Sequence, residues 1–102
     1  MTKYRARPIT IDGHRFPSLK EGARYRELLL LSRAGEISDL VLQPEFAFVL
    51  DGKKMFTYFS DFGYTEKDGT KVVEDTKGYK TDVYKIKKKI IEHVYGIKIK
   101  ET

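Results

Sequence analysis

The side chains best equipped for chemistry in this 102-residue chain are Glu21, Asp61, Asp75 and Lys77. Carboxylates are hard oxygen donors suited to a divalent cation, and an ammonium nearby can orient an attacking water or stabilise developing charge. The spacing of the last three carries the argument. Residues 59–77 read as two strands joined by a tight turn, and Lys67-Asp68-Gly69 suits a three-residue hairpin loop with glycine in the left-handed position. That loop sets Glu66 opposite Thr70, Tyr64 opposite Val72, Phe62 opposite Glu74 and Asp61 opposite Asp75. Opposed side chains share a sheet face, and the strand period of two adds Lys77 beside Asp75. Directly opposed like charges destabilise a sheet unless a cation bridges them. A two-residue Asp68-Gly69 loop would shift the register by one and put the two aspartates on opposite faces. A solvated hairpin with scattered charges is the plain alternative. Glu74 falls on the other face from Asp75 and is expected to be dispensable.

The fourth residue sits on a helix. Pro17-Ser18 opens it, Ser18 and Glu21 have the spacing of a capping box, and Gly35 ends it after about Ala34. At about 100° per residue, Glu21, Tyr25, Leu28, Leu29 and Ser32 share an arc that should face a sheet. A carboxylate there is costly unless capped, paired or metal-bound. Capping and metal binding compete for Glu21. Leu19, Ala23 and Leu30 form a second stripe that the N-terminal hairpin or another subunit must cover.

The remaining elements frame these positions. Ile9 to Phe16 forms a short hairpin around Asp12-Gly13, with Ile9 opposite Phe16 and Ile11 opposite His14. His14 beside the turn reads more readily as a surface residue than as a base. Ile37 to Leu42 reads as a connector. Glu45 to Leu50 and Met55 to Tyr64 read as strands around Asp51-Gly52. Thr81 caps a second helix that Gly96 ends. Its buried arc is expected to be Val83, Ile86, Ile90, Ile91 and Val94, with Lys87 inside it, and Ile97 to Lys100 reads as a last strand.

Composition limits the class. Apolar residues make up 40% and charged residues 34%, as in ordinary globular domains, and the length suits one domain over residues 1–102. No apolar run approaches the ~18 residues of a membrane span. The absence of cysteine removes disulfides and thiolate chemistry and fits a cytosolic setting. Net charge is +5, but unevenly spread: residues 1–33 and 77–102 each carry eight Lys/Arg against three acids, while residues 34–76 carry four against nine. Basic flanks around an acidic centre suit a polyanion partner and a central cation, or simply a basic surface. Residues 1–8 read as a loose basic arm.

Assembled, the chain resembles the PD-(D/E)XK nuclease superfamily. Asp61 matches the first motif aspartate, preceded by Ser60 where the pattern has proline. Asp75-Thr76-Lys77 matches the (D/E)XK element, followed by Gly78, and Glu21 matches the first-helix glutamate of the Holliday junction resolvase-like branch. The chain also resembles a small phage- and prophage-encoded family of unknown function, through Phe16-Pro17-Ser18 to Tyr25, Leu42-Gln43-Pro44, Asp61-Phe62 and Val72 to Gly78. The resemblance implies a restriction-endonuclease-like α/β fold: an αβββαβ core, a mixed central sheet flanked by two helices, and the N-terminal β-hairpin. It implies Mg²⁺ or Mn²⁺ held by Asp61, Asp75, the Thr76 backbone carbonyl and Glu21, directly or through water. Lys77 would position the nucleophile, because adjacent carboxylates oppose the lowered pKa that a base would need. Gln43 would contact a metal-bound water or a phosphate. Arg5, Arg7, Arg24, Lys80, Lys85, Lys87, Lys88 and Lys89 would contact DNA. The implied activity is a structure-selective, Holliday junction resolvase-like endonuclease in phage DNA recombination, replication or packaging, in the cytoplasm of a bacterial host. Cutting a four-way junction symmetrically needs two sites, hence a homodimer. A nicking or end-processing nuclease, and a non-catalytic DNA-binding module, are the alternatives.

Overall fold

Each element starts and stops where the sequence supplies a cap or a turn. The computed structural model describes residues 7–76 and 80–102. Asp12 and Gly13 both take positive φ and fold β1 (Ile9–Ile11) onto β2 (His14–Phe16) in the expected register. The Ser18 hydroxyl accepts the Glu21 N–H and caps α1 (Leu19–Arg33). Glu21, Gly22, Tyr25 and Leu28 form its buried face.

Ile37–Leu42 is not a connector. It forms β3, paired antiparallel with a later strand. The register shifts between Ser38 and Val41, and Asp39 sits there at φ 54°. This irregularity breaks the alternation by which a half-buried strand is recognised. The expected long strand from Met55 to Tyr64 is also divided. β4 (Glu45–Leu50) and β5 (Lys53–Phe59) pair as a separate hairpin, and the chain crosses at Ser60-Asp61 into β6 (Phe62–Glu66). The central sheet runs β3-β6-β7-β8, with β7 at Lys71–Asp75 and β8 at Ile99–Glu101. Its pairs are antiparallel except β7 with β8, which are parallel because α2 (Asp82–Tyr95) lies between them in the chain. The core order is thus α1-β3-β6-β7-α2-β8, an α-β-β-β-α-β mixed sheet with two helices and an N-terminal hairpin. The β4–β5 hairpin is an insertion within it.

Two apolar clusters pack the faces. Phe16, Tyr25, Leu28, Ile37, Phe62 and Tyr64 fill the α1 side, while Tyr58, Ile91 and Ile99 centre the α2 side. The expected buried arc of α2 needs correction. Val83, Ile86 and Val94 are 60%, 59% and 49% exposed, whereas Ile91 is fully buried. The helix instead turns its amphipathic residues inward. Tyr84 stacks near Tyr58, the Lys87 ammonium lies 5.2 Å over the Phe56 ring, and the Tyr95 hydroxyl donates to the Ala47 carbonyl at 2.8 Å. The N-terminal hairpin does not cover the Leu19–Leu30 stripe, whose two leucines are 48% and 65% exposed. It docks beside Gly22, where a Cβ would come 2.6 Å from Ile9 Cγ2. Among the described residues no helix is long and apolar enough to cross a membrane.

Candidate active site

The hairpin turn fixes where the carboxylates go. Gly69 adopts φ 92°, its N–H donates to the Glu66 carbonyl at 2.9 Å, and the Glu66 N–H donates to the Thr70 carbonyl at 2.7 Å. The Asp68 side chain accepts the Thr70 N–H, and this bond lowers the Asp68 pKa. The three-residue loop therefore forms, with Tyr64 opposite Val72 and Phe62 opposite Glu74.

One step further along, Asp61 lies at the crossover just before β6. Its backbone N–H donates to the Glu74 carbonyl at 2.9 Å, and its carboxylate accepts the Thr76 N–H at 2.5 Å. Asp61 is thereby tied to the backbone beside Asp75. Asp75 itself is fully buried, and its carboxylate accepts a hydrogen bond from the Tyr58 hydroxyl on the α2 side. Glu21 is only 6% exposed and joins Asp61 in lining a pocket of about 130 Å³. The other walls are His14, Arg15, Phe16, Leu42 and Gln43. Gln43 holds φ 51° there, and its N–H donates to the Asp61 carbonyl at 2.9 Å. A non-glycine residue in the left-handed region is strained, and such strain persists where the surroundings enforce it.

Glu74 lies on the face opposite Asp75, as the register requires, but it is not a bystander. It is fully buried, and Arg24 grips it with two bonds: Nε to Oε1 at 2.8 Å and a terminal nitrogen to Oε2 at 2.6 Å. The Tyr64 hydroxyl donates to the same carboxylate. Burial pushes the Glu74 pKa up, yet the bonds from Arg24 and Tyr64 outweigh it and hold the carboxyl below its ordinary value. Burial and the bond to Glu74 both push the Tyr64 hydroxyl up. Arg24 stands one helical turn beyond Glu21, and Glu74 immediately precedes Asp75. The ion pair thus locks α1 to β7 at the site.

This pairing removes Arg24 from the expected DNA contacts, since its guanidinium is engaged internally. Other expected contacts are engaged as well. Lys80 and Lys88 lie 3.1 and 3.4 Å from the Glu101 carboxylate. Glu101 also accepts the Tyr84 hydroxyl at 2.7 Å, and this bond, with help from Lys80, depresses its pKa to about 2. Burial first, and then that bond, raises the Tyr84 hydroxyl far above its usual range. Lys87 lies on Phe56, while Arg7, Lys85 and Lys89 are exposed. Lys77 and Arg5 fall outside the described residues.

The family comparison bears on this geometry. A model of the DUF1064 family, described as a protein of unknown function, matches residues 1–101. The chain belongs to this family. Neither the curated proteins nor the solved structures contain a match. The DUF1064 match spans nearly the whole chain, so the hairpin, both helices and the central sheet belong to one family unit.

His14 and Arg15 enter the pocket from the N-terminal hairpin. His14 is exposed, as its place beside the turn implies, and it lines the pocket together with the exposed Arg15. Strand pairing within the hairpin was readable, but nothing local places that hairpin over Asp61.

Metal fit can be tested on the donors. Among the described residues, no three carboxylate or imidazole side chains converge as a ligand group. The donors are hard oxygens nonetheless. Mg²⁺ commonly uses one or two carboxylates and keeps several waters. Asp61 supplies one such carboxylate in the pocket; Asp75, beside the Thr76 that Asp61 binds, does not line the pocket, and its carboxylate meets Tyr58 on the α2 side.

Proposed function

We propose that the protein is a metal-dependent phosphodiesterase of the PD-(D/E)XK type, acting on DNA. The observation that carries this reading is the 2.5 Å bond from the Thr76 N–H to the Asp61 carboxylate. It brings the aspartate before β6 to the Asp75-Thr76 segment, across a hairpin whose turn allows no register shift. Glu21 on the rim of the same pocket supports it.

Asp61 and Asp75, with the Thr76 carbonyl, would hold Mg²⁺ or Mn²⁺. When bound, the ion would lower the pKa of a water and stabilise charge on the phosphoryl oxygens. The residues of the chain then divide the other work. Asp61 is oriented by the Thr76 N–H. Asp75 is oriented by Tyr58 from beneath the sheet. Glu21 would accept a proton or hold a water at the pocket wall. Lys77 would position the nucleophile. Gln43 and Arg15 line the entrance a phosphate must use. Branched DNA is the favoured substrate, because the described residues form one sheet-and-helix unit without a separate base-reading element and shape recognition needs none. A two-fold dimer would supply the second site that junction cleavage requires. The setting would be a phage or prophage in a bacterial cytoplasm.

The test is cleavage of a synthetic four-way junction against linear duplex of the same sequence, with Mg²⁺. Asp75→Ala should lower the rate by roughly a hundredfold or more while leaving DNA binding at low salt intact. Unchanged cleavage by Asp75→Ala would overturn the site. Failure of wild type to bind Mn²⁺ in calorimetry would overturn the metal chemistry.

A further inference from the structure

The face of the sheet that α1 leaves open has its own chemistry. Glu74 points toward Arg24 of α1, so alternate residues of β7 and of the segment after it share that face. In the parallel register, Glu74 aligns with Lys100. One step along, the Thr76 and Thr102 hydroxyls lie 3.1 Å apart. Lys98, Lys100 and Thr102 therefore form a row on the α1 side of β8, with the lysines about 6.6 Å apart along the strand. This spacing is close to that of successive phosphates in a nucleic-acid strand.

β8 is an edge strand, and α1 packs over β3 and the N-terminal hairpin at the far side of the sheet. Two open depressions lie along this face between α1 and β8 and together make a trough. One end is lined by Lys20 with Thr76 and Thr102, and the other by Val72, Lys98 and Lys100. Glu27 and Glu66 lie on its walls, and the guanidinium of Arg24 is spent on Glu74. Lys20, Lys98 and Lys100 remain exposed. Among the described residues none of them is engaged as Lys80, Lys87 and Lys88 are on the α2 side. The trough ends at Thr76, the residue that binds Asp61.

We infer that this β7–β8 trough is the track for a nucleic-acid backbone, leading one strand to the Asp61–Thr76 end of the sheet. The inference rests on the DNA partner proposed above and moves the main phosphate contacts from α2 to the opposite face.

Binding is measured in EDTA with a labelled four-way junction and a labelled duplex across a series of salt concentrations. The variant K20Q/K98Q/K100Q should lower the slope of log affinity against log salt by about two to three units, since each phosphate contact contributes about 0.9. Its affinity near physiological salt should fall roughly tenfold or more. K85Q/K89Q on α2 should change the slope by less than about one unit. Circular dichroism checks that both variants fold. An unchanged slope in the trough variant overturns the inference, as does the larger loss in the α2 variant. Wild type that binds only phosphatidylserine vesicles, or binds no DNA, also overturns it. Because the assay needs no metal, binding that follows the trough without any cleavage would sink the nuclease reading and leave the trough standing.

Discussion

Replacing Glu74 by Gln removes one charge from a buried pair while keeping its volume. Glu74 is fully buried, and the Arg24 side chain is 19% exposed. The guanidinium would be left largely desolvated without its counter-ion, and removing one partner of a buried pair costs about 3–5 kcal/mol. Residual solvent at Arg24 places the effect at the low end, about 3 kcal/mol. For a domain of this size a kilocalorie moves Tm by about 4–8 °C, so the shift should be roughly 12–24 °C. The pH dependence identifies the cause. Glu74 has a folded pKa held below its ordinary 4.5. Its contribution is therefore complete above the unfolded pKa and is lost as pH falls through the lower folded value. The Tm gap between wild type and Glu74→Gln should be full at pH 7 and narrow progressively below about pH 4. Adding Arg24→Met to Glu74→Gln should recover part of the loss, because the unpaired charge is gone while Gln still accepts the Tyr64 hydroxyl. Thermal melts from pH 2.5 to 7 measure all of this. A loss under about 1 kcal/mol at pH 7, or a gap that does not change with pH, would refute the assigned role of the pair.

Other outcomes follow from single contacts. Gly22→Ala puts a methyl against Ile9 and should cost about 1–3 kcal/mol, with faster amide exchange in β1–β2 than in the sheet. Ser60 Oγ is buried without a hydrogen-bond partner among the described residues. Ser60→Ala should therefore raise stability by up to about 1 kcal/mol, read by urea titration. Ser60→Pro would lose the Ser60 N–H bond to the Pro44 carbonyl and should lower the urea midpoint. Tyr84→Phe removes the main donor to Glu101, so the Glu101 pKa should rise from about 2 toward the ordinary carboxylate range in an NMR titration.

The sequence alone determined the parts whose causes are local. Lys67-Asp68-Gly69 offered a three-residue turn that opposes Phe62 to Glu74, and the bonds between Glu66, Gly69 and Thr70 select it over the two-residue Asp68-Gly69 turn. Ser18 and Thr81 set the helix starts because each supplies an acceptor for an orphan N–H. Tertiary structure decided the rest. The bulge at Asp39 hid β3, since it breaks the period that marks a strand. The crossover at Ser60-Asp61 was invisible because both halves are equally good strand sequence, and only the competition between two sheets divides them. The role of Glu74 could not be read either. Its partner Arg24 is 50 residues away, and the sequence gives no sign that α1 would rotate to bring the two together. The rotation of α2, which leaves Val83 and Ile86 in solvent, was likewise decided by aromatic partners on β4–β5. Glu21, Asp61 and Asp75 were legible as chemistry because carboxylates are costly on apolar faces. That Asp61 is joined to Thr76, and Glu21 to the wall of the same pocket, depended on where the whole chain crossed.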